Sequence, residues 1–223
     1  MKQVIINADD FGQSAGVNSG VIDAHEHGVL TSASLMVRWP AAAAAASYAR
    51  CRPQLGVGLH LDLGEWVFRD GDWARLYQVV DETDLPAVTA EVARQLEVFE
   101  RLMGCAPTHI DSHQHSHRRE PVRSAVLEVA SRLNVPVRGI SVPYCGDFYG
   151  QDGEGVSYPE WVGVDRLREI LGNVGPGLTE VACHPSATAD LDTMYSSERL
   201  SELATLCDPR IKASIAEFDI RLV

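Results

Sequence analysis

Short runs of β-branched and apolar residues alternate along this chain with longer stretches whose apolar positions recur every three to four residues. The period-two runs predict strands over 3–7, 31–37, 56–61, 108–112, 137–142, 179–183 and 211–215. The amphipathic stretches predict helices over 16–27, 41–51, 87–103, 120–133, 164–172 and 196–206. Pro121 suits a helical first turn, and Gly28 and Gly104 suit helix ends. Strands that alternate with helices form a parallel α/β fold. No linker, repeat or break in composition divides residues 1–223, so a single domain is expected.

Periodicity does not separate a closed barrel from an open doubly wound sheet, but the placement of polar residues does. Asp9 and Asp10 follow the first predicted strand and His60 ends the third. His109 to His117 lie at and after the fourth, and His184 follows the sixth. An open sheet concentrates such groups at one switch point, whereas a barrel rim collects them from around the ring. The expected fold is therefore a distorted (β/α) barrel of about seven parallel strands. At 223 residues, against roughly 250 for a full eightfold barrel, the ring should be incomplete.

Composition narrows the partners. The chain holds 19 Lys and Arg against 31 Asp and Glu, a net charge of −12, which disfavours nucleic acid and anionic membranes. No apolar run is long enough to span a bilayer. Val4-Ile5-Ile6 directly after Met1-Lys2-Gln3 does not make a signal peptide, so a soluble, cytoplasmic protein is expected. Five scattered cysteines without a C-x-x-C pair predict neither a disulfide framework nor a thiolate zinc site.

Histidine changes the picture. Of eight histidines, His109, His113, His115 and His117 fall within nine residues, alternating with other side chains. If that backbone is extended, they share one side, and imidazoles with a carboxylate suit zinc and related divalent ions. The tract offers more donors than one ion takes, so some should orient other ligands or touch substrate. In Asn7-Ala8-Asp9-Asp10-Phe11-Gly12, adjacent carboxylates on an extended chain point in different directions. One could bind metal while the other faces a reacting water, or one could cap the next helix. His60 lies in the apolar run Gly56 to Leu61, and His184 in Cys183-His184-Pro185 is placed for proton transfer. Two long segments, 64–86 and 143–162, carry nine of the 15 aromatic residues. Their rings would either stack on a sugar or pin the loops.

In order along the chain, Asn-Ala-Asp-Asp-Phe-Gly at 7–12, Gly-Leu-His-Leu at 58–61, Thr-His-Ile-Asp-Ser-His-Gln-His-Ser-His at 108–117 and Cys-His-Pro at 183–185 resemble the YdjC/ChbG family of carbohydrate deacetylases. The resemblance implies a distorted (β/α) barrel that uses one divalent metal ion, Mg²⁺ or Zn²⁺, to remove acetyl groups from N-acetylated sugars such as chitooligosaccharides. Carried over by position, it implies Asp10, His60 and His113 as metal ligands, Asp9 as catalytic base and His184 as general acid. His115 stands one alternation beyond His113. A homodimer is implied by family behaviour alone. Two other readings compete: an amidohydrolase or phosphoesterase on a barrel, which usually carries His-x-His after its first strand, and a sugar-binding protein without turnover.

Overall fold

The computed structural model describes all 223 residues. Its main sheet has seven strands: β1 (Lys2–Phe11), β2 (Ser32–Leu35), β3 (Gly56–Leu61), β6 (Ile110–Ser112), β7 (Tyr144–Cys145), β8 (Gly177–Cys183) and β9 (Ile220–Leu222). All pairings in it are parallel, in the order β6-β3-β2-β1-β8-β7, with β9 beside the first residues of β1. A separate antiparallel hairpin, β4 (Gly64–Arg69) and β5 (Asp72–Gln78), follows β3. Residues 136–145 join the two edges of the curled sheet. Ile110 N–H donates to the Pro136 carbonyl (3.0 Å), Arg138 N–H to the Ile110 carbonyl (3.2 Å), and Glu180 N–H to the Pro143 carbonyl (2.9 Å). The expected distorted, incomplete barrel of parallel strands is thus present.

Seven helices surround it: α1 (Ala15–Glu26), α2 (Ala42–Ala49), α3 (Leu85–Met103), α4 (Val122–Leu133), α5 (Val164–Asn173), α6 (Ser197–Leu206) and α7 (Pro209–Glu217). Local chemistry sets their ends. The Ser14 side chain accepts from Val17 N–H at the start of α1, the Asp84 side chain accepts from Ala87 N–H at the start of α3, and Gly104 (φ 75°) terminates α3 in the left-handed conformation.

Three expectations are corrected. Residues 211–215 form part of α7, not a strand: Ile211, Ala213 and Ile215 fit period two, but Ile211 and Ile215 also fit one helical face, and Asp208 with Pro209 supplies a helix start. The last strand is β9, further along. Residues 137–142 make isolated bridges only, because Gly139 (φ 66°) turns the chain back and donates to the Val142 carbonyl. Segment 64–86 contains the β4–β5 hairpin in place of an open loop.

The apolar core lies outside the sheet. Val4, Ile6, Ala8, Leu35, Leu59, Leu61 and Val181 are fully or almost fully buried in a 43-residue cluster that includes residues of the surrounding helices. The alternate positions Asn7, Asp9, Ser34, His60, Asp111 and Glu180 point into the ring, which therefore has a polar interior. Helix α1 packs closely on the segment after β8: a Cβ on Gly20 would lie 2.5 Å from the Ser186 Cα and 2.7 Å from its backbone nitrogen. Gly20→Ala should therefore destabilise the fold by about 1–3 kcal/mol, read from the urea midpoint. An unchanged midpoint would show that α1 can shift freely.

Candidate active site

Arg138 fills the polar ring. It is 1% exposed and contacts three buried carboxylates. Its Nη1 and Nη2 donate to Asp9 Oδ2 and Oδ1 (2.6 and 2.5 Å), Nη2 also reaches Asp111 Oδ2 (2.5 Å), and Nε donates to Glu180 Oε1 (2.7 Å). Burial alone would raise the pKa of Asp9 and Asp111, but the guanidinium and the His60 ring together outweigh it and hold both below the usual carboxylate range. For Glu180 burial wins, and its pKa is pushed up to about 7. Ser34 Oγ donates to Asp111 (2.7 Å), and Asn7 Nδ2 donates to Asp9 (2.9 Å).

The last turn of β1 supplies two carboxylates to one place. Ala8 pairs with Ala33 and Phe11 with Leu35, so β1 carries one extra residue, and Asp10 has φ 64°. Asp9 and Asp10 therefore lie within the strand, not after it, and both line the same cavity. His60 Nδ1–H donates to Asp111 Oδ1 (2.7 Å), which turns Nε2 toward Asp10 Oδ1 at 3.4 Å. His113 Nδ1 lies 3.1 Å from the same Asp10 oxygen, while Arg199 donates to Asp10 Oδ2 (2.6 Å). One ligand atom from each of Asp10, His60 and His113 lies within 4.8 Å of the others. One carboxylate and two imidazoles, one ring oriented by a second carboxylate, fit a divalent ion with positions left open. His113 Nε2 is also buried without a hydrogen-bond partner. Burial would lower the pKa of both rings, but the surrounding carboxylates raise it instead, His60 to about 10, so a bound cation would take the place of their protons.

The histidine tract does not stay extended. Only 110–112 is strand; His113–Arg118 coils into 3-10 turns, with Gln114 (φ 48°) and His115 (φ 54°) left-handed. The four rings consequently separate. His113 joins Asp10, His115 Nε2 meets the Tyr144 hydroxyl (3.2 Å), His117 is buried against Ser112 and the Arg138 carbonyl, and His109 meets Ser34 Oγ (3.0 Å). Gln114 ties the turn to the hairpin: its Oε1 accepts from Trp66 N–H (2.8 Å) and its Nε2 donates to the Trp66 carbonyl (2.7 Å). The hairpin also brings buried Glu65 to 3.6 Å from His113 Nε2.

His184 stands across from this group, its Nε2 3.7 Å from Asp9 Oδ2. Burial pushes its pKa down to about 4, so the ring is neutral near pH 7. Glu202, raised by burial to about 8, accepts from the His184 backbone N–H and the Tyr195 hydroxyl. Tyr195 stacks on Tyr149 at 4.2 Å, and both present faces or edges to His184 at 5.5 Å. His184, Tyr149 and Tyr195 border a cavity of about 630 Å³ that also meets Asp9, Asp10, Trp73, Tyr144 and Phe148. Of the nine loop aromatics, four thus line the site. Tyr77 is fixed instead to Asp62 (2.9 Å), and Trp66 lies under Arg75.

Arg138, Arg199, Glu65, Glu202 and Tyr195 were not singled out by sequence. Arg138 alone left a trace: an arginine inside an apolar run. Replacing it by methionine strands buried carboxylates, and Arg138→Met should cost about 3–5 kcal/mol at pH 7. In the native chain Asp9 and Asp111, depressed when folded, contribute stability that is lost as pH falls through the acid range. In the variant these carboxylates titrate upward, so the deficit should shrink from pH 7 to pH 4.5 in denaturant titrations. A deficit independent of pH would contradict this electrostatic account.

The family described as YdjC-like protein matches residues 3–217. The chain is 36% identical to a carbohydrate deacetylase of Geobacillus stearothermophilus, over 98% of this chain and 95% of that one. It is 32% identical to a chitooligosaccharide deacetylase of Serratia marcescens, over 97% and 95%. A crystal structure from Enterococcus faecalis V583, described as a cellobiose-phosphate cleavage protein, superposes with a TM-score of 0.76 at 26% identity, covering 100% of this chain and 97% of that one. A family 4 carbohydrate esterase of Streptomyces lividans shares the fold, with a TM-score of 0.60 at 14% identity over 99% and 91% of the two chains. With its four motifs gathered on one barrel rim and the match spanning nearly its whole length, the chain belongs to the YdjC-like family.

Proposed function

We propose that this protein is a metal-dependent carbohydrate deacetylase that hydrolyses the acetamido group of an N-acetylated sugar to the amine and acetate. The observation that carries the reading is the convergence of Asp10, His60 and His113 beside Asp9 and His184 in one cavity. The names of the two relatives supply the substrate class, a carbohydrate or chitooligosaccharide. Asp10, His60 and His113 would hold the ion, and a zinc or similar divalent cation suits that donor set. When bound, the ion supplies Lewis acidity, polarising the acetyl carbonyl and acidifying water.

The remaining work falls to side chains. Asp9, kept ionised and fixed by two Arg138 hydrogen bonds, takes the proton of the attacking water. So strong a clamp makes Asp9 a weak base, suited to a water that is already acidic. The same Oδ2 faces His184 Nε2, so the captured proton has a short route to the departing nitrogen. A neutral His184 can accept it and release it to the amine, which is otherwise a poor leaving group. Arg199 holds Asp10 Oδ2 and leaves Oδ1 toward both imidazoles. Tyr149 and Tyr195 wall the His184 ring, and Glu202 anchors its backbone.

Acetate release from N-acetyl sugars should appear on adding a divalent ion to chelator-stripped protein. Asp9→Asn should keep the metal, measured by elemental analysis, while kcat falls about 10²- to 10⁴-fold; near-normal turnover by that variant would remove Asp9 from the reaction. His113→Ala should lose metal and activity together, whereas His115→Ala should retain the metal. The opposite result would move the second imidazole ligand to His115.

A further inference from the structure

The two imidazoles of the candidate metal centre face it with different nitrogens. His60 turns Nε2 toward Asp10 Oδ1 at 3.4 Å, and its Nδ1–H donates to Asp111 at 2.7 Å. His113 turns Nδ1 toward the same Asp10 oxygen at 3.1 Å, which leaves Nε2 on the far side of its ring. That nitrogen is buried and has no hydrogen-bond partner. An imidazole that gives one nitrogen to a cation keeps its single proton on the other, so a His113 bound through Nδ1 buries an N–H donor. A buried donor without an acceptor is costly, and His60 meets the same need through Asp111.

Glu65 supplies the acceptor. It is 4% exposed, and its Oε2 stands 3.6 Å from His113 Nε2. The gap is a little longer than a hydrogen bond while Nδ1 is engaged with Asp10. Two features of the hairpin aim the carboxylate there. Trp66, next in sequence to Glu65, exchanges two hydrogen bonds with the side chain of Gln114, next to His113 (2.8 and 2.7 Å), so residues 65 and 113 are docked as a pair. Opposite them β5 carries one extra residue, since Glu65 pairs with Tyr77 but Trp66 with Arg75, a bulge of the kind that re-aims a side chain. The other carboxylate oxygen is already committed. Glu65 Oε1 accepts from Thr193 Oγ1 at 2.8 Å, which leaves Oε2 for the ring.

We infer that Glu65 is a positioning residue of the metal centre, accepting the Nε2–H of His113 and so committing Nδ1 to the ion, as Asp111 commits Nε2 of His60. This rests on the metal-dependent reading of the site. One carboxylate then stands behind each imidazole, the first from strand β6 and the second from a hairpin outside the main sheet. Metal affinity therefore depends on how that hairpin docks.

Zinc alone, without sugar, tests the assignment. Nitrogen-15 NMR of the histidine rings in zinc-loaded protein should show His113 bound through Nδ1 and protonated at Nε2, and His60 the reverse. A zinc-bound His113 that carries its proton on Nδ1 would overturn it. Competition against a chromophoric chelator should show zinc held about 10- to 100-fold more weakly by Glu65→Ala, with a smaller loss in Glu65→Gln, whose amide oxygen still accepts. Thr193→Val frees Oε1 but keeps Oε2 and should bind zinc almost as wild type does. Equal losses in Thr193→Val and Glu65→Ala would reduce Glu65 to a strut between hairpin and loop, and unchanged affinity in Glu65→Ala would remove it from the centre. Urea midpoints report whether each variant folds; where Glu65→Ala does not, Glu65→Gln and the wild-type spectrum decide. Wild-type protein that binds no zinc would sink the metal reading and this one together. Zinc bound in the expected way, with no acetate released from any N-acetyl sugar, would remove the deacetylase reading and leave the role of Glu65 standing.

Discussion

The contact between Arg138 and the carboxylates of Asp9, Asp111 and Glu180 is the constraint around which the molecule is arranged. A parallel ring commonly fills its interior with branched apolar side chains. This one fills it with charge, and a single guanidinium bonded to three carboxylates makes that tolerable. Each carboxylate comes from a different strand, β1, β6 or β8, so the same ion contact ties the ring together and orients the site. Asp111 passes the constraint to His60, and Asp9 passes it to the space beside His184. Stability and chemistry draw on one network, so removing one partner harms both, whereas repacking the whole interior as an apolar core would spare stability at most and abolish the chemistry.

Against this charged interior the apolar work is done outside the sheet. The β1 residues Val4, Ile6 and Ala8 face the helices while Asn7 and Asp9 face inward. The period-two pattern was therefore readable as strand, although its polar half pointed into a ring and not to solvent. This explains why five of the seven expected strands could be recognised and why Arg138 could not be weighed. Its significance depends on carboxylates 129 and 42 residues away in sequence, which no local pattern links to it.

The candidate ligands were legible because they cluster in composition, but their directions were not. His113, His115 and His117 alternate as a strand would, yet two left-handed residues send them to three different surroundings. Glu65 reaches the site on a hairpin that reads as a loop, and Arg199 reaches it from α6, more than a hundred and eighty residues after its partner Asp10. One local signal went unread: Asp208 with Pro209 marks a helix start that a five-residue apolar alternation obscures, and 211–215 reads as a strand for that reason.

The extra residue at the end of β1 makes the charge content of the rim depend on chain length at one point. With it, neighbours in sequence are neighbours across the cavity. Only Asp9 and Asp10 stand between Ala8 and Phe11, so deleting either would restore the regular ladder and leave the rim with one carboxylate where it now has two. Exchanging one amino acid for another at those positions changes the chemistry but leaves the register as it is. Variation in this protein is thus sharply unequal in kind: at this strand end spelling is negotiable within limits, but the reading frame of the pleat is not.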